Sequence, residues 1–139
     1  MIKHKVSGVI LKSGVVSCRI PVTVEFVYDP SDPLAVEIIF DWTDDDGDGA
    51  STIWTVARGL LVVGCASPMA YGSGDFRLRL DRASDTVITC MKTPEGHADV
   101  GIDAQGLINF LDATTAAVRL GDECLDSAID EALKEILGS

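Results

Sequence analysis

The strongest constraint on the fold is an alternation of apolar and polar residues in two consecutive segments. In residues 16–26 the even positions are apolar, and residues 34–42 repeat the pattern with Glu37 and Asp41 on the opposite face. Successive side chains of a strand point to opposite faces, so a period of two predicts two strands that each bury one face. The intervening turn 29–33, with its prolines and aspartates, predicts an antiparallel hairpin. The predicted core positions are Val16, Cys18, Ile20, Val22, Val24, Phe26, Leu34, Val36, Ile38, Phe40 and Trp42.

Pro21 falls inside the first of these strands. Proline has no amide hydrogen to donate, so a strand that contains it is bent, bulged or at a sheet edge. We therefore expect a corner in the sheet near this residue.

The rest of the chain predicts further short strands, followed by helices. Strands are expected at 51–56, 76–80, 85–93 and 97–102, with one or two helical turns at 57–64 and a hairpin turn at 94–96. After residue 102 the apolar spacing changes to three and four residues, which predicts helices. Asp103 is expected to cap the first, which carries Leu107, Ile108, Phe110 and Leu111, and the second is expected from Asp126, with Leu125, Ile129, Leu133, Ile136 and Leu137 on one face.

These elements predict a single domain of class α+β over residues 1–139. The expected architecture is mostly antiparallel β-sheet with a short inserted helix and C-terminal helices. With 139 residues, 47% of them hydrophobic, the chain is long enough to bury a core without a metal or a disulfide. Residues 1–8 are followed by an apolar run that polar residues interrupt, which predicts neither a signal peptide nor a membrane span. A cytoplasmic protein without direct membrane insertion is expected.

The charge of the chain argues against a nucleic-acid partner. The formal net charge is −11, with 22 acidic against 11 basic residues, so phosphate backbones are repelled overall. The best candidate for a local basic strip is Arg77 with Arg79, but Asp75 and Asp81 share their strand face. An alternating row of this kind is typical of a solvated face or of cross-strand ion pairs.

The segment Asp44 to Gly49 resembles the start of a calcium-binding EF-hand loop. Three aspartates alternate before a glycine, as such a loop requires. The twelfth position would be Thr55 instead of a bidentate glutamate, and the flanks predict strands instead of helices. An acidic hairpin loop is the favoured interpretation, so no metal site and no cofactor are predicted.

The sequence offers little for catalysis. The two histidines, His4 and His97, are expected on the surface, and the chain contains neither a G-x-S-x-G elbow nor a phosphate-binding P-loop. No two cysteines are closely spaced, so buried free thiols are expected and not a zinc or redox centre; the four are Cys18, Cys65, Cys90 and Cys124. No enzyme activity and no catalytic residue are predicted.

Two features are candidates for binding a protein partner. One is the connection 67–74, in which Pro68, Met69 and Tyr71 are apolar, because loops carry binding more often than the scaffold does. The other is the apolar stripe of the last predicted helix, for which core packing is the simpler explanation.

Two segments resemble the signature of a known family. Residues 28–36, YDPSDPLAV, and residues 54–61, WTVARGLL, are similar to segments of the SsgA-like proteins of actinobacteria. Further matches follow in the same order: 74–77, 93–96, Phe110-Leu111 with Thr114, and the acidic, leucine-rich end. The matching signature residues are Tyr28, Asp29, Asp32, Pro33, Trp54, Ala57 and Arg58, for which a structural role is expected because aspartate-proline turns ordinarily serve folding.

The resemblance implies more than the residues themselves do. It implies a Whirly-like fold, a homo-oligomer in the form of a trimer, and a non-enzymatic regulator of sporulation-specific cell division. Such a regulator is expected in the cytoplasm at the division septum, where it marks septum sites and recruits or organises FtsZ or other division proteins. The alternative that a Whirly-like fold keeps open is a protein that binds single-stranded nucleic acid.

Overall fold

The computed structural model describes residues 1–13, 16–43, 49–72, 74–93 and 96–121. Seven strands of one antiparallel sheet and two helices lie within these ranges, which confirms the α+β class. In chain order they are β1 (Ile2–Ser13), β2 (Val16–Tyr28), β3 (Ala35–Thr43), β4 (Gly49–Ala57), α1 (Arg58–Gly64), β5 (Phe76–Asp81), β6 (Thr86–Thr93), β7 (Gly96–Asp103) and α2 (Ala104–Ala117). The sequence-based bounds of β4 to β7 and of α1 differ from these by no more than two residues.

The sheet consists of two meanders that meet at the first and last strands. Its order is β4-β3-β2-β1-β7-β6-β5, so β4 and β5 form the two edges. β1 and β7 join the halves through the pairs Gly8↔Ile102 to Ser13↔Ala98. The likeness to Whirly-type folds stays a prediction.

The buried face of the first hairpin follows the predicted alternation. Val22, Val24 and Phe26 on β2 are buried, as are Val36, Ile38 and Phe40 on β3. Trp42 is half-buried at the far end of β3. The prediction was wrong for Leu34, which is 40% exposed. Although Leu34 has the right parity, it still belongs to the turn, because β3 begins at Ala35.

Pro21 lies in an inner strand of the sheet, but at a position where β2 is paired with β1 alone. It stands opposite Val9 of β1, and the register with β3 runs only from Thr23 to Val27. Because Pro21 lies outside the β2–β3 ladder, its lack of an amide hydrogen costs no hydrogen bond to β3. The irregularity of this region lies instead in β1, whose register shifts between Ile10 and Lys12.

Helix α2 covers the start of the sheet. It packs against β1 and β7, and the ring of Phe110 stacks on that of Phe26 with centroids 5.2 Å apart. Asp103 caps the helix as predicted, since its carboxylate accepts a hydrogen bond from the Gly106 amide at 2.9 Å. Leu107, Phe110 and Leu111 are buried. Ile108 does not join them: it is 37% exposed, because only one narrow stripe of α2 faces the sheet.

Several predictions concern residues beyond the described ranges. They are the hairpin loop 44–48, the turn residues Pro94 and Glu95, the last predicted helix and Cys124; in β2, the side chains of Val16 and Cys18 are also not described. In the part of the chain that the structure describes, no helix has both the length and the apolar character needed to cross a membrane.

Candidate functional site

The first signature segment forms a tight turn between β2 and β3. The hydroxyl of Tyr28, which is fully buried, donates a hydrogen bond to the carbonyl oxygen of Pro33 at 3.0 Å. Asp29 accepts two bonds from Ser31, one from the amide at 3.0 Å and one from the hydroxyl at 2.8 Å. These bonds lower the pKa of the Asp29 carboxyl, the amide contributing more than the hydroxyl. The amide of Asp32, whose side chain is exposed, closes the turn by donating to the Asp29 carbonyl at 2.9 Å.

The second signature segment places Arg58 at the centre of the molecule. Only 1% of this residue is exposed, and its amide donates to the Leu34 carbonyl at 2.8 Å. The guanidinium Nη1 donates to the carbonyl oxygens of Thr114 at 3.1 Å and Val118 at 2.6 Å. The guanidinium carbon lies 5.1 Å from the centroid of the Tyr28 ring. One side chain thus links the turn after β2 to the end of α2, where the Thr114 carbonyl also accepts from the Val118 amide at 2.9 Å.

The remaining signature residues also support the fold. Pro33 is buried beneath the turn, whereas Ala57 is exposed at the end of β4. Trp54 is half-buried on β4, with its ring 5.7 Å from that of Phe76 on β5. The signature therefore holds β2, β3, α1 and α2 together, and two of its residues, Asp29 and Asp32, also line a cavity of about 160 Å³ with Glu37.

A cavity of about 220 Å³ lies at the end of the sheet where β1 and β2 meet. Trp42 and Trp54 line it together with Phe40 and seven other residues, and Thr52 is the only one with a polar side chain. The Nε1–H of Trp54 is buried and has no hydrogen-bond acceptor among the described residues. The lining offers no group for acid–base chemistry.

A larger groove of about 520 Å³ crosses β1, β7 and the β5–β6 turn. Three carboxylates line it, those of Asp81, Asp85 and Asp103. Asp81 accepts bonds from the Ala83 amide and the Ser84 hydroxyl, and Asp103 caps α2. These acids stabilise turns and a helix end. Among the described residues, no three His, Cys, Asp or Glu side chains are grouped to hold a metal ion.

Cys90 and His97 line one cavity of about 250 Å³ together with Asp99. Cys65 is a buried free thiol, as predicted, whereas Cys90 is only half-buried. Burial raises the pKa of both thiols, and the nearby Asp99 carboxylate raises that of Cys90 further. His97 is exposed as predicted, but His4 is half-buried, with its ring edge-on to Phe110 at 5.6 Å. His4 therefore belongs to the packing of α2 on β1.

The connection between α1 and β5 presents apolar side chains to solvent. Met69 is 76% exposed, Tyr71 is 41% exposed, and Pro68 is exposed beside them. Tyr71 exchanges two backbone hydrogen bonds with Leu78 of β5, at 2.8 and 3.0 Å, and the Ser67 carbonyl accepts from the Leu80 amide at 2.7 Å. The backbone is therefore fixed along β5 while the side chains point outward.

The distribution of aromatic residues does not favour a single-strand binding surface. All eight aromatic residues lie in the described ranges, and Tyr71 is the only one that is exposed. Proteins that bind single strands stack several bases on exposed rings along a cationic groove. The best cationic pair is Arg77 with Arg79. Arg77 is paired with Cys90 on β6, and Cys90 is paired with Asp99 on β7, so an acid lies on the same face of the sheet. In the part of the chain that the structure describes, neither the rings nor the charges form such a surface.

Two features of the site were not predicted from the sequence. One is the pair of carbonyls that bind Arg58, which are backbone groups in the last turn of α2 and directly after it, and any residue type supplies such groups. The other is Ile53, which is 61% exposed on β4 and shares its face of the strand with the polar residues Ser51 and Thr55. The exposure of Ile53 could have been predicted, because an apolar residue flanked by polar ones two positions away lies on the polar face of its strand.

Comparison with known proteins supports the resemblance of the signature segments. A family model described as "Streptomyces sporulation and cell division protein, SsgA" matches residues 22–123. The chain is 32% identical over 120 residues to the sporulation-specific cell division protein SsgB of Salinispora tropica, covering 85% of this chain and 81% of that protein. It is 34% identical over 120 residues to the SsgB protein of Streptomyces coelicolor, covering 85% and 83%.

Two solved structures share the fold. The crystal structure of an SsgA-like sporulation-specific cell division protein from Thermobifida fusca superposes with a TM-score of 0.76 at 26% identity, covering 96% of this chain and 93% of that one. An SsgB structure, described in a study of mutations that correlate with longitudinal cell division during sporulation of Streptomyces coelicolor, gives a TM-score of 0.69 at 30% identity. The superposed region covers 87% of this chain and 91% of that SsgB chain.

Proposed function

The chain belongs to the SsgA family of sporulation and cell division proteins, and from this premise we propose that it is a non-enzymatic regulator of sporulation septation. In this role it marks septum sites and recruits or organises FtsZ, acting as a homo-oligomer in the cytoplasm beside the septum. The observation that carries the proposal is the family match over residues 22–123, together with relatives named as sporulation-specific cell division proteins.

The surface of the molecule supports an adaptor role. Two of the acids that line the groove of about 520 Å³ stabilise a turn and a helix cap, and the half-buried His4 packs against Phe110. By contrast, Met69 and Tyr71 expose apolar surface on a backbone that β5 holds in place. Rigid presentation reduces the conformational entropy lost on binding, so such a segment suits contact with another protein.

We assign the contact with the division partner to the segment Pro68–Tyr71. Methionine and tyrosine are enriched at protein interfaces, because both bury large apolar areas and Met adapts to the partner's shape. Neither side chain belongs to the buried core, since Met69 is 76% and Tyr71 41% exposed. Their replacement therefore tests binding without disturbing the fold.

The decisive experiment is co-sedimentation of the protein with polymerised FtsZ from the same organism, at moderate salt to screen diffuse electrostatics. We expect saturable binding by the wild type and at least a tenfold weaker affinity for the double variant Met69→Ser, Tyr71→Ser. Ile108→Ser is the matched control, since it removes an exposed apolar side chain from α2 instead.

The outcomes separate two parts of the proposal. Wild-type protein that stays in the supernatant at all concentrations contradicts direct FtsZ recruitment and leaves a relay through another division protein. Binding that the double variant retains contradicts the assignment to Pro68–Tyr71 alone.

A further inference from the structure

The sheet curls around the cavity that Trp42 and Trp54 line, so that its two halves face each other there. Trp54 of β4 and Met91 of β6 both line this cavity, although four strands lie between β4 and β6 in the order of the sheet. The ring of Trp54 also lies 5.7 Å from that of Phe76 on β5. A molecule in the cavity would therefore contact both halves of the sheet.

The lining of the cavity extends from the core towards solvent. Its buried part consists of four core side chains: Val22, Phe40, Met91 and Val100. The other described lining residues, among them Trp42 and Ala98, are half-buried, apart from the exposed Thr52. A site for a small molecule needs this combination of a buried apolar interior and a rim in contact with water.

One polar atom on the lining side chains lacks a partner. The Nε1–H of Trp54 is buried and donates to no acceptor among the described residues. An indole N–H is a donor only, and buried indoles usually find a hydrogen-bond acceptor, because an unpaired donor in the interior costs free energy. An acceptor atom on a bound molecule would remove this cost.

Water is a poor occupant of this cavity. A volume of about 220 Å³ corresponds to about seven water molecules, and a buried water makes about three hydrogen bonds. Apart from the two indoles, the Thr52 hydroxyl is the only polar side-chain group of the described lining. An apolar molecule needs far fewer polar contacts. Since an apolar cavity of about 150 Å³ binds benzene, this one has room for about nine non-hydrogen atoms.

We propose that the cavity binds one small, uncharged, apolar molecule with an acceptor oxygen, and that the Nε1–H of Trp54 donates to that oxygen. No residue of the described lining is charged, and burial of an unpaired carboxylate or ammonium group is costly. The net charge of −11 disfavours an anion further. A ketone or ester of medium chain length has the required properties. This site is separate from Pro68–Tyr71 and independent of FtsZ.

The two tryptophans of the chain both line the cavity, so their fluorescence reports on its occupancy. The probe is octan-2-one, an uncharged ketone of the proposed size, titrated into the full chain. Wild-type protein is expected to show a saturable change in emission at one ketone per chain. Its thermal unfolding midpoint is expected to rise, because a ligand that binds only the folded state stabilises it. Octanoate, which has the same chain length but a charge, is expected to bind about tenfold more weakly or not at all.

Two kinds of variant test the position of the ketone. Trp54→Phe keeps an apolar ring but removes the donor, so the affinity for octan-2-one is expected to fall about fivefold to tenfold. Trp42→Phe is the matched control, because it leaves the Trp54 donor in place and is expected to retain most of the affinity. Ala98→Leu adds volume to the lining and is expected to abolish binding. Thr52→Leu, at an exposed lining position, is the second filling variant, and urea unfolding checks the fold of each.

The outcomes that overturn the proposal are distinct. Wild-type protein with neither a saturable change in emission nor a higher unfolding midpoint overturns it outright. Binding that both filling variants retain shows that the ketone lies elsewhere on the molecule, which also overturns it. Equal losses of affinity in Trp54→Phe and Trp42→Phe contradict the hydrogen bond from Trp54.

Discussion

The guanidinium of Arg58 lies 5.1 Å from the ring centroid of Tyr28, and both residues are almost completely buried. Each belongs to one of the two signature segments, and each also bonds to a backbone carbonyl elsewhere, Tyr28 to Pro33 and Arg58 to Val118. The pair therefore explains why these segments occur together: they form one junction between the β2–β3 turn, the start of α1 and the end of α2.

Replacement of Arg58 by methionine is expected to lower the free energy of unfolding by about 2–3 kcal/mol, because hydrogen bonds from a charged donor are lost in the interior. Arg58→Lys should lose less, since lysine keeps the charge but not the planar set of donors. Urea unfolding followed by circular dichroism measures both. Arg82→Met, at an exposed turn residue, should change stability by less than about 0.5 kcal/mol. Equal losses at the two arginines would contradict the central role of Arg58.

The two tyrosines form a matched pair. Tyr28→Phe removes the buried hydroxyl that donates a hydrogen bond to the Pro33 carbonyl. The free energy of unfolding is expected to fall by about 1–2 kcal/mol, because that bond is lost in the interior. Tyr71→Phe removes a hydroxyl from a residue that is 41% exposed and should leave stability unchanged within error. Thermal and urea unfolding compare the two, and a loss at Tyr71 as large as that at Tyr28 would be inconsistent with the structure.

Two glycines of α1 should respond to alanine in opposite directions. A Cβ on Gly64 would overlap the side chain of Leu78, which is fully buried, so Gly64→Ala is expected to cost about 1–3 kcal/mol. A Cβ on Gly59 meets nothing within 4 Å, and alanine is the better helix former, so Gly59→Ala should stabilise by about 0.5 kcal/mol. Unfolding midpoints that shift in the same direction for both variants would show that α1 does not pack on β5 as described.

The Asp29 turn should contribute to the dependence of stability on pH. Its hydrogen bonds from Ser31 lower the pKa of the carboxyl below 3.8, so its contribution is present above that pH and is lost as the pH falls through the lowered folded value. Asp29→Asn keeps an acceptor but removes the charge. The stability difference between wild type and this variant is expected to shrink on acidification below pH 3.8, as urea unfolding over pH 2–5 would show. A difference that grows towards low pH would have the wrong sign.

Local patterns in the sequence predicted the elements but not their arrangement. The buried faces of β2 and β3 and the cap at Asp103 were predicted correctly, because each depends only on residues that are close in the sequence. Leu34 was misplaced because parity does not say where a turn ends and a strand begins. The position of β1 between β2 and β7, and hence the identity of the two edges, depends on pairings between residues distant in the chain, as does the reach of Arg58 to α2.

The backbone bonds that Ser67 and Tyr71 make to β5 also protect this side of the sheet from aggregation. The carbonyl of Ser67 accepts from the Leu80 amide, and Tyr71 exchanges two bonds with Leu78. The outward backbone groups of β5 are therefore already paired at these positions, and a strand from another molecule finds no partners there. The loop that presents Met69 and Tyr71 to solvent thus lowers the risk of edge-to-edge aggregation at β5.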